Sequence, residues 1–166
     1  MKAILLFGAG KSATVLIDYL LENAVRENWQ LVVVDADLKL AQSKIGGSPK
    51  ATAISFDIAD TEERAKRIRH ADIVISMLPP SLHIEVAKDC VKYHKHLLTA
   101  SYVDDDIKKL KTEIEKSKIL FLCEMGLDPG IDHMSAMKIF DEIRNKGGRI
   151  TSFKSHCGGL GSPESD

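Results

Sequence analysis

Residues 2–13 read KAILLFGAGKSA, a short apolar run followed directly by a glycine-rich turn. The run has the length of a strand, and the GxGxxA pattern that follows it is typical of the first strand-to-helix turn of a dinucleotide-binding domain. Gly8 permits the tight turn, Gly10 lets the backbone approach a pyrophosphate, and the small Ala13 allows close helix packing. N–H groups at the start of the helix then bind the phosphates. The residues expected at this part of the cofactor site are Gly8, Gly10, Lys11, Ser12 and Ala13.

Five further apolar runs of strand length follow along the chain, and each precedes a helical pattern or a turn signal. The runs are Leu31–Val34, Thr52–Phe56, Ile73–Met77, His96–Leu98 and Ile119–Leu122. Alternation of strands and helices at this spacing predicts a parallel sheet with helices on both faces and right-handed crossovers. We therefore expect an α/β fold of the Rossmann type, a doubly wound parallel sheet in a three-layer αβα arrangement.

Two local patterns predict how individual helices are built. Val15, Leu16, Tyr19 and Leu20 fall on one helical stripe and are expected to face the core from the first helix. Asp60 with Glu63 three residues later has the pattern of an N-cap with a reciprocal capping partner.

The second strand ends in Val34 and Asp35, and Asp35 stands 25 residues after Gly10. An acidic residue at this distance binds the adenosine ribose hydroxyls in Rossmann domains, and its charge repels a 2′-phosphate. NAD is therefore expected, with NADP disfavoured, and Ala36 continues the same edge. The alternative at Asp35 is a residue that only caps the turn into the next helix.

Two later strand ends complete the expected cofactor site. After the third strand, Asp57 or the backbone of Ile58 can meet the adenine, although Asp57 as a simple turn former is an equal alternative. After the fourth strand, Met77, Leu78 and Pro79 are expected to flank the nicotinamide. His83 on the following helix is interpreted as a structural hydrogen-bonding residue rather than a catalyst.

Composition narrows the classes of function. The 23 Lys and Arg and 24 Asp and Glu give a formal charge of −1, and no basic run is interleaved with aromatic residues, so a nucleic-acid partner is not expected. No apolar run is long enough for a membrane span and the N-terminus has no signal-peptide pattern, which favours a cytoplasmic protein. Three widely spaced cysteines indicate neither a disulfide framework nor a zinc cluster, and no metal site is predicted.

Four segments resemble the glutamate-forming saccharopine dehydrogenase family, in order along almost the whole chain. They are MLPPSLH (Met77–His83), HLLTASYV (His96–Val103), EMGLDPGIDH (Glu124–His133) and FKSHCGGLGSP (Phe153–Pro163). The resemblance implies an enzyme of lysine metabolism that oxidises saccharopine, with NAD or NADP and water, to glutamate and 2-aminoadipate 6-semialdehyde. The partner is then a small amino-acid substrate.

The resemblance also implies roles for individual residues. Ser101 and Tyr102 correspond to a pair that contacts substrate, and hydroxyls of this kind suit a carboxylate. Asp128 corresponds to a further substrate contact and can receive an ammonium group or organise the amine nitrogen. Tyr102, Asp128 and Cys157 are the catalytic candidates, although a packing or substrate-edge role is the simpler interpretation for Cys157. Asp132 and His133 can instead fix the loop onto the next helix.

Chains of this family continue beyond the GGLGSPESD segment into a large substrate-binding and dimerising domain. The expected division is residues 1–129 as the NAD(P)-binding domain and residues 130–166 as a connecting helix and the first strand of a truncated second domain. A homodimer through the missing domain and absent or poor turnover by this chain alone are the corresponding expectations. Two alternatives remain: a dinucleotide-binding module without catalysis, and a relative such as lysine 6-dehydrogenase.

Overall fold

The computed structural model describes residues 1–156 and residue 158. In this part of the chain six strands form one sheet in the order β3-β2-β1-β4-β5-β6, and every neighbouring pair is parallel. The strands are β1 (Lys2–Phe7), β2 (Trp29–Asp35), β3 (Ala51–Ser55), β4 (Ile73–Ser76), β5 (His96–Thr99) and β6 (Phe121–Leu122). All six predicted strands are present, and the predicted Rossmann-type fold is confirmed.

Helices connect the strands and extend beyond the last one. The α-helices of the described residues are α1 (Thr14–Asn23), α2 (Leu38–Ile45), α3 (Thr61–His70), α4 (His83–Lys92), α5 (Asp105–Lys109), α6 (Lys111–Lys116) and α7 (Ile131–Asn145). Single 3-10 turns, Lys11–Ala13 and Pro80–Leu82, lead into α1 and α4.

The side chains of β1 divide the core into two halves. Ile4 and Leu6 pack with α1 and α2 on one face of the sheet, whereas Leu5 and Phe7 pack with α3 and α4 on the other. Successive strand residues point to opposite faces, so an unbroken apolar run can be buried on both sides. The result is the predicted three-layer arrangement.

The strand order reverses at β1. The chain first adds β2 and β3 on one side of β1, and then returns through α3 to place β4 on the other side. In open α/β sheets, ligands bind at such a reversal, outside the carboxyl ends of the strands. A ligand site is therefore expected at the edge where β1 and β4 end.

The predicted buried stripe of the first helix is confirmed at Leu20 and in part at Leu16, and is wrong at Val15 and Tyr19. Val15 is 79% exposed and Tyr19 is 55% exposed, whereas Ile17 is fully buried. The buried stripe is Ala13, Ile17 and Leu20, with Leu16 packed partly against it. The glycine-rich turn brings Ala13 against the sheet, and residues four and seven positions later on a helix share its face. Packing of the turn, rather than the most apolar stripe, therefore fixes the orientation of α1.

The predicted N-cap of α3 is confirmed only in part. The Asp60 carboxylate accepts hydrogen bonds from the N–H groups of Glu62 and Glu63. The Glu63 side chain does not reach back to the cap as expected, because its carboxylate pairs with Lys66 and Arg67 on the next turn of the helix.

The described residues after α7 do not include a strand, and the rest of the segment in which one was expected lies outside the described residues. Residues 149–156 form neither helix nor strand. Within residues 1–156 and 158, no helix is both long enough and apolar enough to cross a membrane.

Candidate functional site

The turn after β1 is built around Gly8. Its φ is +95°, and a Cβ at this position would lie 2.8 Å from the carbonyl oxygen of Met77. The N–H of Gly8 donates to the carbonyl of Val34, and the N–H of Met77 donates to the carbonyl of Phe7. Gly8 is therefore required both for the backbone conformation and for the close approach of the β4 end.

Gly10 plays a different part in the same turn. A Cβ added to Gly10 would meet no atom within 4 Å, so the space over its backbone is open. The 3-10 turn starts at the next residue, and the N–H groups at the start of a helix have no partner within it. An open backbone followed by N–H groups of this kind fits a pyrophosphate.

Asp35 ties the second strand to the glycine-rich turn. One carboxylate oxygen accepts from the N–H of Ala9 at 2.7 Å and the other from the N–H of Asp37 at 3.0 Å. The N-cap of α2 is Asp37, whose carboxylate accepts from two N–H groups of the helix. Asp35 thus closes the turn without capping the helix. Because a carboxylate has about four acceptor positions, two remain for ribose hydroxyls.

A groove of about 310 Å³ lies at the carboxyl edge of β1, β2 and β4. Its lining residues are Phe7, Gly8, Gly10, Val34, Asp35, Ala36, Phe56, Ile58, Met77, Leu78, Pro79 and Leu82. Eight of the residues expected to bind the cofactor are among them. Lys11, Ser12, Ala13 and Asp57 are not among them, and Ala13 is fully buried beneath the turn.

The residues after β3 that border the groove are held by their own hydrogen bonds. Asp57 makes a local turn, with its side chain accepting from the N–H of Ala59 and its carbonyl accepting from the N–H of Asp60. The contacts of Asp57 are therefore those of a turn-forming residue, the alternative given above. Ile58 does line the groove, and its carbonyl accepts from the guanidinium of Arg64. Arg64 is only 4% exposed and also pairs with Asp89 at 2.7 Å.

Four residues that line the groove were not expected from the sequence: Phe7, Val34, Phe56 and Leu82. Phe7 and Val34 were visible as the last apolar residues before Gly8 and Asp35. Phe56 packs edge-to-face on Phe7 with ring centroids 6.3 Å apart, a contact between β1 and the residue after β3 that no local pattern reports.

Next to the groove, three hydroxyl-bearing side chains surround His83. Its Nδ1 lies 2.8 Å from the Ser76 hydroxyl and its Nε2 lies 2.7 Å from the Ser101 hydroxyl. Thr99 Oγ1 is 3.5 Å from Nδ1 and 3.4 Å from Nε2, and it accepts the N–H of Ser101. His83 is 4% exposed, and its burial lowers its pKa, opposed by the nearby Asp104 carboxylate. Burial therefore favours the neutral imidazole, which links the ends of β4 and β5.

Ser101 and Tyr102 follow β5 and face a smaller cavity of about 140 Å³. The Tyr102 hydroxyl donates to the Asp128 carboxylate at 2.9 Å, so two of the expected substrate contacts lie together. The loop carrying Asp128 folds tightly: Gly126 and Gly130 form a bridge, and Gly130 has a φ of +148°. A Cβ at Gly130 would overlap the backbone of Gly126, so only glycine fits there.

Asp132 and His133 connect this loop to α7. Asp132 Oδ1 accepts from the N–H of Gly130 at 2.9 Å and pairs with His133 Nδ1 at 2.7 Å, a contact that raises the pKa of His133. Ligand atoms of Asp128, Asp132 and His133 lie within 4.8 Å of one another, but Asp132 Oδ1 is already occupied by these hydrogen bonds. These contacts fix the loop, and we propose no metal there.

The catalytic candidate Cys157 lies outside the described residues. Among those residues Cys90 is buried and Cys123 is half-buried, and burial raises the pKa of both thiols. Neither is a reactive thiolate.

A glycine turn, an acidic residue ending β2, and a groove at the reversal of the strand order together define a dinucleotide-binding domain. Residues 4–122 match the family model described as "Saccharopine dehydrogenase NADP binding domain", and residues 126–166 match "Saccharopine dehydrogenase C-terminal domain". The chain belongs to the saccharopine dehydrogenase family, and the predicted resemblance is confirmed.

Individual relatives agree with this assignment. The chain is 44% identical over 133 residues to alpha-aminoadipic semialdehyde synthase of Arabidopsis thaliana, covering 80% of this chain and 12% of that protein. It is 37% identical to the NADP(+), L-glutamate-forming saccharopine dehydrogenase of Schizosaccharomyces pombe, covering 99% of this chain and 36% of that protein. The apo structure of the L-Glu-forming enzyme of Saccharomyces cerevisiae superposes with a TM-score of 0.86 at 37% identity, over 99% of this chain and 36% of that chain.

This chain therefore spans about a third of the length of its fungal relatives. More distant solved structures, such as a putative myo-inositol dehydrogenase from Sinorhizobium meliloti with a TM-score of 0.60 and 17% identity, share the fold alone.

Proposed function

We propose that this chain is the dinucleotide-binding part of an oxidoreductase that acts on the CH–NH group of saccharopine and forms glutamate. The observation that carries the proposal is the position of the polar residues. Met77 and Leu78 follow β4, and Ser101 and Tyr102 follow the neighbouring β5, so the groove and the hydroxyls share one edge. Adjacent strands are about 4.8 Å apart, which is close enough for a cofactor ring and a substrate to be in contact.

In the proposed reaction, the C–H bond beside the secondary amine breaks and its hydride leaves with the bonding electrons, while the amine N–H gives up its proton to solvent. The resulting imine takes up water, and its C–N bond then breaks to give glutamate and 2-aminoadipate 6-semialdehyde. A bound nicotinamide supplies the hydride acceptor. The chain's own residues bind and orient the substrate. The Ser101 hydroxyl suits a carboxylate oxygen, and the Tyr102 hydroxyl suits a second one when it exchanges its hydrogen bond to Asp128 for the substrate. Asp128 suits an ammonium group or the amine nitrogen. Cys157 stays a prediction at the substrate edge.

We propose NAD rather than NADP as the preferred cofactor. Among the described residues that line the groove, Asp35 is the only charged one, so no cation there would neutralise a 2′-phosphate. The matched family model and the fungal relatives carry NADP in their names. This chain is therefore proposed to differ from them in cofactor preference.

Titration with NADH and NADPH, followed by nicotinamide fluorescence, tests the cofactor proposal. The unmodified protein should bind NADH at least about tenfold more tightly, and Asp35→Asn should narrow that ratio by removing the repulsion. Asp18→Asn, which removes the same charge from an exposed position on α1, should leave the ratio unchanged. Equal affinities in the unmodified protein would overturn the proposal.

Reduction of NAD⁺ in the presence of saccharopine tests the reaction. Saccharopine-dependent NADH formation, with none from lysine, supports the proposed substrate. Because poor turnover is expected of this chain alone, NADH binding without turnover favours the binding-module alternative only if saccharopine also fails to bind; turnover of lysine favours a lysine 6-dehydrogenase.

The division at residue 129 is also proposed. The two family models meet between residues 122 and 126, and α7 starts at Ile131, which supports a boundary in this region. Limited proteolysis should first cut after residue 126 rather than within the sheet. A homodimer through the second domain and a cytoplasmic location stay predictions.

A further inference from the structure

His83 is buried at the junction of β4 and β5, and it contacts one hydroxyl on each side. Ser76 on its Nδ1 side is fully buried, whereas Ser101 on its Nε2 side is half-buried and lines the cavity of about 140 Å³. A neutral imidazole has one N–H donor and one acceptor nitrogen, so its tautomer decides which hydroxyl donates and which accepts.

The buried Ser76 hydroxyl requires a hydrogen-bond acceptor, and this requirement decides which tautomer His83 adopts. Within the described residues, His83 Nδ1 is the one partner that the Ser76 hydroxyl has, at 2.8 Å. If Nδ1 carried the proton, the Ser76 hydrogen would be buried without an acceptor, which is costly. Thr99 lies at nearly equal distances of 3.5 and 3.4 Å from the two nitrogens and does not discriminate between the tautomers. Satisfying Ser76 therefore leaves Nδ1 unprotonated and places the proton on Nε2.

This tautomer determines how Ser101 is hydrogen-bonded. Nε2–H then donates to Ser101 Oγ across 2.7 Å. The hydroxyl hydrogen of Ser101 is therefore not used by His83 and can be donated to another acceptor. The backbone N–H of Ser101 is held by Thr99 Oγ1 and its carbonyl by the N–H of Glu124, so the residue is fixed on three sides. The remaining side of Ser101 faces the cavity of about 140 Å³, so its hydroxyl can donate into that cavity.

We propose that His83 is a positioning residue that holds Ser101 as a hydrogen-bond donor toward an acceptor atom of the ligand, such as a carboxylate oxygen of an amino-acid substrate. The inference rests on the proposed function for the identity of that ligand. The lowered pKa of His83 agrees with it, because a protonated ring would leave Ser76 without an acceptor.

The tautomer is measured directly on the unmodified protein by long-range ¹H–¹⁵N NMR of the histidine rings, with the His83 signals identified by their absence in His83→Asn. We expect a neutral ring with the proton on Nε2. A ring protonated on Nδ1 would overturn the proposal, whatever the substrate is.

Two substitutions separate positioning from packing. Gln at position 83 places an amide N–H near the Nε2 position and keeps the donor to Ser101, whereas Asn keeps a partner for Ser76 and loses that donor. His83→Asn should raise the KM for saccharopine roughly 10- to 100-fold, the size of one hydrogen bond to a charged group, and His83→Gln by no more than about threefold. NADH affinity should be unchanged in both. Equal increases in KM would indicate a packing role and contradict the proposal.

A double-mutant cycle with Ser101→Ala completes the test. If His83 acts through Ser101, His83→Asn adds no further increase in KM to Ser101→Ala, whereas independent effects multiply. Multiplied effects would refute the positioning role. If the unmodified protein neither turns over nor binds saccharopine, the proposed substrate fails, and the tautomer measurement still decides the role of His83.

Discussion

The cofactor groove and the neighbouring polar edge are built by different means. The groove consists of backbone turns and apolar walls, Asp35 is the one charged residue among the described residues that line it, and its position follows from the strand order. The polar edge consists of side chains from β4, α4, β5 and the loop after β6, joined by hydrogen bonds at His83 and Tyr102. Substitutions in the first region should therefore act mainly on folding and cofactor affinity, and those in the second mainly on substrate.

Loss of Arg64 is expected to have the largest effect. Arg64→Met leaves the carboxylate of Asp89, which is 15% exposed, without its buried partner, and releases the carbonyl of Ile58. We expect the free energy of unfolding to fall by about 3 kcal/mol and NADH binding to weaken, because Ile58 lines the groove. Urea unfolding and NADH titration measure both.

The control for this prediction is the double variant Arg64→Met with Asp89→Leu, which removes both charges and should recover part of the stability. A single variant as stable as the unmodified protein would mean that the ion pair does not hold this wall.

The two glycines of the first turn provide a matched pair. Gly8→Ala forces a side chain into a φ of +95° and against the Met77 carbonyl, and should cost about 2 kcal/mol of stability together with cofactor binding. Gly10→Ala meets no protein atom, so the Tm should stay within about 1 °C while NADH binding weakens. Thermal unfolding and titration distinguish them. If Gly10→Ala binds NADH normally, the pyrophosphate does not lie over Gly10.

The pH dependence of stability separates the polar edge from the groove. Because burial lowers the pKa of His83 in the folded protein, the unfolded chain takes up a proton first as the pH falls below roughly 6.5. Stability is therefore lost on acidification through that range. His83→Gln should show a shallower loss between pH 7 and 5 in urea unfolding, and identical slopes would contradict a buried neutral imidazole.

Tyr102→Phe should have the smallest effect on stability. Its hydroxyl donates to Asp128 at an exposed position, so the free energy of unfolding should change by less than about 0.5 kcal/mol. Saccharopine turnover should nevertheless fall by about tenfold or more, while NADH affinity stays constant. Weakened NADH binding in this variant would show that the two regions are not separate.

The groove could be predicted from the sequence because its signals are local. Gly8 directly follows β1, Gly10 lies two residues later in the same turn, and Asp35 is the last residue of β2. Parallel strands bring their carboxyl ends to one edge. The orientation of α1 was not predictable in this way, because two apolar stripes compete and contact with the sheet selects the one containing Ala13. Asp57 was ambiguous for a related reason, since turn formation and ligand contact favour the same residue type.

The polar edge could not be derived from spacing. Ser76, His83 and Ser101 are separated by 7 and 18 residues, and only the pairing of β4 with β5 brings them together. The family resemblance indicated Ser101, Tyr102 and Asp128, whereas His83 was interpreted as structural and its hydroxyl partners were not foreseen. Hydrogen-bond networks of this kind depend on distances of a few tenths of an ångström, which sequence patterns do not encode.

The central position of β1 also bears on how the protein is made. Strands β1, β2 and β3 are consecutive in the chain and can pair as soon as residue 55 has emerged from the ribosome, whereas the pairing of Ile4 with Ile73 must wait for β4. One flank of β1 therefore stays an open edge during synthesis until β4 is made. The Met77 carbonyl that packs on Gly8 is in place only after that point. The nascent chain should be able to form the ribose end of the groove before the nicotinamide end exists.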